Sequence, residues 1–202
     1  MITTLLVWCF ASTLLCVWLA RHPPKPLRGS VVTPIATLLA AAIALTTGAL
    51  AAALRTYTAL TLEAPIATIA CEPAPGQAQQ FRAHYTPLTP PGPTQTFDLR
   101  GDQWMVSGDF LKWHPWLQVL GFRPVHKPTR LSGRFSQASR ERSQPPTVYD
   151  LNGGTDVWWT WLHHHGAYLP FVEAVYGAGA YTFADPGRIY TLYVTNSGYL
   201  VK

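Results

Sequence analysis

ITTLLVWCFASTLLCVWLA at residues 2–20 and VVTPIATLLAAAIALTTGALAAAL at residues 31–54 are uncharged apolar runs, joined by the basic loop RHPPKPLRGS at 21–30. At about 1.5 Å rise per residue, each run is long enough as a helix to cross a hydrocarbon core about 30 Å thick. The sequence therefore predicts a transmembrane helical hairpin over residues 1–55, with spans at about 2–20 and 31–54. We expect residues 56–202 to form one soluble domain, because no later stretch is apolar enough to cross again.

The charges beside the two runs predict their orientation. The loop carries Arg21, Lys25 and Arg28, and short loops rich in lysine and arginine stay in the cytoplasm. We therefore expect a two-pass protein of the bacterial inner membrane with its C-terminal domain in the periplasm. Arg55, at the outer end of the second run, is one positive charge against three. A cleaved signal peptide is the alternative for residues 2–20, but this run lacks a basic segment before it and a small-residue cleavage site after it.

The composition argues against two classes of protein. The formal net charge of +5 and the pI near 9.3 come mainly from the four basic residues at 21, 25, 28 and 55. The remaining chain is nearly balanced in charge and offers no basic stripe, so we expect no nucleic-acid partner. Three cysteines cannot form a disulfide framework. Cys71, alone in the soluble part, is expected to be unpaired and inert.

Small residues recur every four positions along the second run, which lines them on one helix face and lets another helix approach closely. They are Ala36, Ala40, Ala44, Gly48 and Ala52. The facing helix is either the first run of the same molecule or a helix of a membrane-protein partner. Neither run contains Asp, Glu, Lys or Arg, whereas ion and proton paths are normally built around such intramembrane charges.

The soluble part has the pattern of a mainly-β domain, either a small barrel or a sandwich, with an α+β insertion. About six to eight short strands are expected. The strongest hairpin candidate pairs 94–100 with 103–113 around Gly101-Asp102, with a bulge at Gly108. A second turn, at 185–187, joins predicted strands at 181–184 and 188–195.

Helices are expected at two places near the C-terminus. Thr155-Asp156 is predicted to cap a helix that runs through three tryptophans and three histidines and ends at Gly166. A second short helix is predicted over 169–176. Residues 137–146 are predicted to be a polar loop.

The run His163-His164-His165 is the most conspicuous candidate for metal chemistry. Consecutive helical residues point about 100° apart, so the three side chains cannot bind one metal together, and we predict no metal site. One of them joined by His84, His114 or His126 stays open as an alternative. Asp98, Asp102 and Asp109 lie around the predicted hairpin and are expected to be solvated.

The sequence also lacks the signatures of common catalytic sites. No nucleophile elbow or phosphate-binding loop is present, and Gly177-Ala178-Gly179-Ala180 leads into a predicted strand rather than a helix. We therefore predict no catalytic residues and no cofactor.

The aromatic residues are more informative. Trp158, Trp159 and Trp161 cannot all face the core from one helix, so at least one ring is expected to meet lipid, a ligand or another protein. Four arginines form the main charge cluster of the domain, and they are candidates for contact with headgroups or with acidic groups of a partner. They are Arg130, Arg134, Arg140 and Arg142.

Several short motifs carry a resemblance to a known group of proteins. They are the stretches GDQW at 101–104, KW at 112–113, RLSGR at 130–134, DVW at 156–158 and AVYG at 174–177. With them the chain resembles a group of short uncharacterised proteobacterial inner-membrane proteins, which have two N-terminal spans and a Trp-rich domain. Some members carry the label of cation or multidrug efflux pump. We do not extend that label to this chain, because two spans without an intramembrane charge offer no alternating-access path.

Three hypotheses for function follow. The first is a non-catalytic, membrane-anchored accessory or assembly subunit of a larger inner-membrane or envelope complex. The second is a membrane-anchored domain that binds lipid or another apolar small ligand through the tryptophans and arginines named above. The third is an enzyme that acts on lipid or glycan, for which the sequence shows no catalytic constellation.

Overall fold

The computed structural model describes Val7, Ala11, Trp18, residues 32–74 and residues 79–202. The predicted first span at 2–20 and the basic loop at 21–30 lie almost wholly outside these residues, so the predicted two-pass topology stays a prediction. The chain divides into two compact units, Met1–Leu60 and Thr61–Lys202. The division lies five residues beyond the predicted boundary at residue 55.

The first unit contains helix α1, which spans Val32–Leu60. Within the described residues, Thr37–Thr58 is the one helical segment long and apolar enough to cross a membrane. The helix continues six residues beyond the predicted end of the second span at residue 54. Threonine hydroxyls in this last part bond back to carbonyls one turn earlier, Thr56 to Ala52 at 2.9 Å and Thr58 to Arg55 at 3.0 Å. These bonds satisfy the threonine hydroxyls within the helix itself.

The second unit contains nine strands in the described part of the chain. They are β1 (Glu63–Pro73), β2 (Gln80–Pro87), β3 (Gln95–Arg100), β4 (Gln103–Trp113), β5 (Val125–Arg134), β6 (Val148–Asp150), β7 (Val172–Phe183), β8 (Ile189–Thr195) and β9 (Tyr199–Val201). Three short helices accompany them, namely α2 (Pro115–Val119), α3 (Ala138–Ser143) and α4 (Val157–His165), together with a 3-10 turn at Gly166–Tyr168.

These strands form two antiparallel sheets that share one core. The first sheet has the order β3-β2-β1-β8-β9, and the second has the order β6-β5-β4-β7. No hydrogen-bonded ladder joins the sheets among the described strands, so the domain is an open sandwich and the predicted barrel alternative is wrong. The domain is mainly β, as the alternating sequence pattern predicts.

The core lies between the sheets and is built from residues that alternate along each strand. Trp104 of β4 meets Tyr190 of β8 edge to face, with ring centroids 5.6 Å apart, and both rings are buried. Ile69, Leu131 and Leu192 are fully buried around them. Burying one such large side chain contributes about 1.5–3 kcal/mol, so these contacts hold the two sheets face to face.

The predicted hairpin around Gly101-Asp102 is wrong, because β3 and β4 belong to different sheets. The amide of Gly101 donates to Gln79 O beside β2 at 2.9 Å, whereas the amide of Asp102 donates to Arg134 O of β5 at 3.0 Å. Gly101 has φ of +137°, and a Cβ there would lie 2.1 Å from the same Arg134 oxygen. The turn residues therefore carry the chain from one sheet to the other.

The turn at 185–187 makes a second crossing of the same kind. It joins β7 of one sheet to β8 of the other, so the predicted pairing of 181–184 with 188–195 is also wrong. Tight-turn residues indicate that the chain changes direction, and they do not say whether it stays in its sheet.

Two further local predictions are wrong. Residues 172–176 belong to β7 rather than to a helix, because Val172–Phe183 pairs along the whole length of β4. Residues 138–143 form α3 within the predicted polar loop. The bulge predicted at Gly108 is confirmed, since the register between β4 and β5 shifts between Ser107 and Gly108.

Candidate functional site

Helix α4 lies on the outer face of the four-stranded sheet and brings the candidate residues together. Trp159 and Leu162 are buried against Leu111 of β4 and Val172 of β7, which forms a small second core. The side chain of Asp156 accepts a hydrogen bond from the amide of Trp159 at 3.0 Å, as predicted for an N-cap.

The cap residue also makes an ion pair. Lys127 Nζ of β5 lies 3.0 Å from Asp156 Oδ2, so the sheet holds the beginning of α4. The hydrogen bond from the Trp159 amide, and then the one from Lys127, lower the pKa of Asp156 below its usual value.

The three tryptophans of α4 divide between core and surface, as their helical spacing requires. Trp159 is 3% exposed, whereas Trp158 is 60% and Trp161 42% exposed. Trp158 stacks on Trp161 with ring centroids 5.6 Å apart, and Trp161 stacks on His165 at 5.0 Å, both at 15° between ring planes. These three stacked rings, here called the aromatic ladder, are held in register on the outer side of the helix.

A second apolar surface lies on the connection between β4 and β5. Trp116, Leu120 and Phe122 of this connection are each more than half exposed. The indole of Trp113 fixes the connection by donating to Arg123 O at 2.7 Å. We call residues 114–124 the apolar loop.

The apolar loop lies at the end of the sandwich where β1 begins. At this end of the first sheet, Glu63 of β1 pairs with Thr195 of β8. The turn at 196–198, which follows β8, lies beside the second sheet, because the hydroxyl of Tyr176 of β7 donates to Ser197 O at 3.0 Å. In β4, the residue opposite Tyr176 is Phe110, three positions before Trp113. The apolar loop therefore lies at the same end of the sandwich as the first residues of β1.

The arginine candidates do not form one cluster. Arg130 lies on β5 and is exposed, and the Arg134 guanidinium lies 4.5 Å from the centre of the Tyr181 ring. Arg140 and Arg142 are exposed on α3, beyond the Arg134 end of β5. Lys127, near the other end of β5, holds α4. The structure thus does not bring Arg140 and Arg142 together with the exposed tryptophans.

The small-residue face of α1 is described in part, because the side chain of Ala36 lies outside the described residues. Ala40, Ala44 and Gly48 are half-buried and Ala52 is exposed, while Ala51 is 1% exposed. Four residues turn an α-helix through about 400°, so a four-residue repeat drifts about 40° around the helix at each step. At the end of the series, the less exposed side of the helix is therefore occupied by Ala51 rather than by Ala52. The role of these residues as an interface stays a prediction.

Each histidine of the run at 163–165 has its own neighbour. His164 Nδ1 lies 2.7 Å from Thr160 O, and His165 Nδ1 lies 3.0 Å from Trp161 O, so each bonds the carbonyl four residues earlier in α4. His163 points to the sheet, where its Nε2 lies 2.9 Å from Asp109 Oδ1. Among the described residues, no three His, Cys, Asp or Glu side chains are placed to hold a metal ion.

Asp109 differs most from its predicted environment. The residue is 7% exposed rather than solvated. Its second carboxylate oxygen, Oδ2, is buried and has no hydrogen-bond partner among the described residues. A buried acceptor left without a donor costs about 1–3 kcal/mol, and more when it is charged. Among the described residues, only one of the two Asp109 carboxylate oxygens therefore has a hydrogen-bond partner.

Asp109 lines an open cavity of about 400 Å³ on the outer face of the four-stranded sheet. Ser107 and Arg130 also line it, together with Thr155 just before α4. Gly177 and Gly179 of β7 lie opposite Asp109 and Ser107 in the ladder and contribute no side chains to this face. The result, here called the outer-face cleft, combines a carboxylate, a guanidinium and two hydroxyl groups.

The cleft was not predicted from the sequence, although one signal for it was present. Glycines at alternate positions of a strand leave one sheet face bare, which often marks close approach by a ligand or another backbone. The pair Gly177 and Gly179 has this spacing. The burial of Asp109 had no comparable signal, because it depends on His163, which lies 54 residues later.

Comparison of the chain with protein-family models, with curated proteins and with solved structures found no match. The resemblance to two-span proteobacterial proteins stays a prediction.

Proposed function

We propose that this chain is a non-catalytic, membrane-anchored accessory or assembly subunit of a larger inner-membrane or envelope complex. In this proposal α1 and the apolar run at 2–20 cross the inner membrane, and the β-sandwich lies in the periplasm. The basic loop at 21–30 supports this orientation, because such loops stay in the cytoplasm.

The aromatic ladder is the observation that carries the proposal. Trp158, Trp161 and His165 are stacked in a fixed order, yet Trp158 and Trp161 remain largely exposed. Tryptophan is strongly enriched among the residues that dominate the binding energy of protein interfaces. Stacking already restricts these rings, so less conformational entropy is lost when a partner covers them. The ladder thus has the properties of a preorganised contact for another protein.

The small residues of α1 supply a second contact within the bilayer. Ala44 and Gly48 lie on its less exposed side, and small side chains allow the close helix packing that drives association in lipid. A partner that spans the same membrane would supply the helix that packs on this face.

Native mass spectrometry of the full chain, extracted gently from its own membranes, tests the proposal. We expect a stoichiometric assembly with a second membrane protein. The double variant Trp158→Ala/Trp161→Ala should reduce its abundance by about tenfold, equivalent to about 1.4 kcal/mol. Phe183→Ala removes an exposed ring of β7 and should leave the assembly unchanged. A wild-type chain that is always alone would overturn the proposal.

The bilayer contact is tested separately in the same preparation. Gly48→Leu adds bulk to the less exposed side of α1 and should dissociate the assembly, whereas Ala49→Leu on the exposed side should not. Equal effects of the two substitutions would remove the small-residue face from the proposal.

A second function, contact with lipid, is favoured by the apolar loop. Its exposed Trp116, Leu120 and Phe122 are accompanied by Arg123 and by no acidic residue. Such composition suits the interface between headgroups and acyl chains. Only Thr61 and Leu62 separate α1 from β1 in the chain, and the apolar loop lies at the β1 end of the sandwich.

Brominated lipids test this second function in the full chain reconstituted into bilayers. The test uses a Trp8→Phe/Trp18→Phe background, which removes the two tryptophans of the predicted first span. Bromine on the acyl chains should quench part of the remaining tryptophan fluorescence, and Trp116→Phe should remove much of that quenchable part. Trp158→Phe is the matched control on the aromatic ladder. If Trp116→Phe leaves the quenching unchanged, the apolar loop does not enter the bilayer.

A further inference from the structure

The outer-face cleft presents two kinds of unused polar group. The carboxylate of Asp109 has one oxygen without a donor, and its side chain is only 10% exposed. Within the described residues, the guanidinium of Arg130 and the hydroxyls of Ser107 and Thr155 make no hydrogen bond or ion pair. A carboxylate binds ammonium or hydroxyl donors, whereas a guanidinium with hydroxyls binds the oxygens of an anion.

The two groups are separated along the sheet. Asp109 and Ser107 are two positions apart on β4, which places them about 7 Å apart on the same face. Arg130 of β5 lies directly opposite Ser107. An anion bound by Arg130 and Ser107 therefore lies beside the carboxylate of Asp109 and not on it. A ligand that satisfies both must carry a positive and a negative group at its two ends.

The neighbouring charges are consistent with this polarity. Lys127 lies opposite Asp109 on β5, but its ammonium group is held by Asp156 at 3.0 Å. His163 occupies only Oδ1 of Asp109. Oδ2 is buried and receives no donor from these residues, so the carboxylate that lines the cleft carries only one hydrogen bond.

The floor of the cleft is open above β7. A Cβ built on Gly177 would meet no atom within 4 Å, so the space above this backbone is empty. The volume of about 400 Å³ lies within the range of small-ligand sites.

We infer that the outer-face cleft binds a phosphoethanolamine group, with its ammonium on Asp109 and its phosphate on Arg130, Ser107 and Thr155. The ammonium and the phosphate of this group stand two carbons and an ester oxygen apart, which suits the separation of the two ends of the cleft. The group exists as a free metabolite and as a lipid headgroup.

Calorimetric titration of the full chain in phosphatidylcholine nanodiscs with O-phosphoethanolamine tests the inference. We expect saturable binding at one site per chain. Ethanolamine alone and inorganic phosphate alone should each bind at least about tenfold more weakly, because each contacts only one end. Absence of binding, or equal binding of phosphate alone, would overturn the inference.

Three variants locate the site. Gly177→Leu fills the cleft from a position with free space and should abolish binding without lowering the melting temperature. Asp109→Asn keeps an acceptor for His163 and should weaken binding about tenfold, as should Arg130→Gln. Arg123→Gln, in the apolar loop, is the matched control and should bind like the wild type. Wild-type binding by Gly177→Leu would overturn the inference.

A further arm distinguishes the two sources of the group. In nanodiscs that contain phosphatidylethanolamine, a site that takes the lipid headgroup is already occupied, so O-phosphoethanolamine should show at least about tenfold weaker apparent binding. A site for the free metabolite should bind equally in both lipids. The result is independent of the accessory function, which is read from the assembly rather than from this titration.

Discussion

Gly108 shows how one residue sets the shape of the four-stranded sheet. A Cβ at this position would lie 2.1 Å from Lys127 O, because the bulge in the β4–β5 pairing brings the two backbones together. No side-chain adjustment can relieve a clash with backbone, so the strand itself would have to move. The bulge residue is therefore glycine for a steric reason.

Gly108→Ala should destabilise the domain by about 2–4 kcal/mol, since it forces the bulge apart. Gly177→Ala is the matched control, because its Cβ would meet no atom within 4 Å. It should be nearly neutral, or stabilising by less than about 1 kcal/mol. Chemical denaturation followed by tryptophan fluorescence measures both. Equal losses would show that the close approach at Gly108 is not what requires glycine.

Helix α4 is held to the sheet at both of its ends, which matters because it is only nine residues long. Helices of this length are not stable alone in water. Asp156 caps the start and pairs with Lys127, while His163 bonds Asp109 near the end. The aromatic ladder therefore depends on polar contacts made on the opposite side of its own helix.

Replacement of Asp156 should separate its two roles. Asp156→Ala removes both the cap and the ion pair, whereas Asp156→Asn keeps the cap, so the alanine variant should melt at the lower temperature. The lowered pKa of Asp156 adds a pH dependence. Its contribution is present above the unfolded-state pKa, near pH 4, and is lost as pH falls through the lower folded-state pKa. Thermal melts between pH 2 and pH 7 should show this acid loss in the wild type and not in Asp156→Ala.

The sandwich holds a cysteine thiol and two tyrosine hydroxyls in surroundings that favour their protonated forms. Burial, and then the nearby Asp185 charge, raise the pKa of Cys71 to about 12. Burial raises the pKa of Tyr85 to about 12, and burial is also the main cause of the raised pKa of Tyr199. Deprotonation of these groups is easier in the unfolded chain than in the folded domain.

Stability should therefore fall as pH rises from about 9 to 12. In this window the unfolded state binds fewer protons, so the free energy of unfolding decreases with pH, by at most about 1.4 kcal/mol per pH unit for each group. Denaturation midpoints measured at intervals from pH 8 to pH 11 check the trend. Tyr85→Phe should flatten it, whereas Tyr168→Phe, an exposed ring, should not. An unchanged slope in Tyr85→Phe would contradict this account.

Local sequence pattern was sufficient for features that depend on nearest neighbours. The apolar length of α1, the alternation of most strands, the bulge at Gly108 and the cap at Asp156 all follow from residues within a few positions of each other. The division of the three tryptophans follows in the same way, because helix geometry alone separates their directions.

Only the tertiary structure decided how the strands are sorted. The turns at 101–102 and 185–187 have hairpin composition, yet both carry the chain between sheets. β3 pairs with β2 rather than with β4, and β7 pairs with β4 rather than with β8. The predicted helix at 169–176 yields to β7 for the same reason, since its ladder with β4 satisfies the backbone groups of both strands. The outer-face cleft belongs to this category too, because Asp109, Arg130, Thr155 and Gly177 come from four separate segments. Their meeting depends on long-range pairing, which no local pattern encodes.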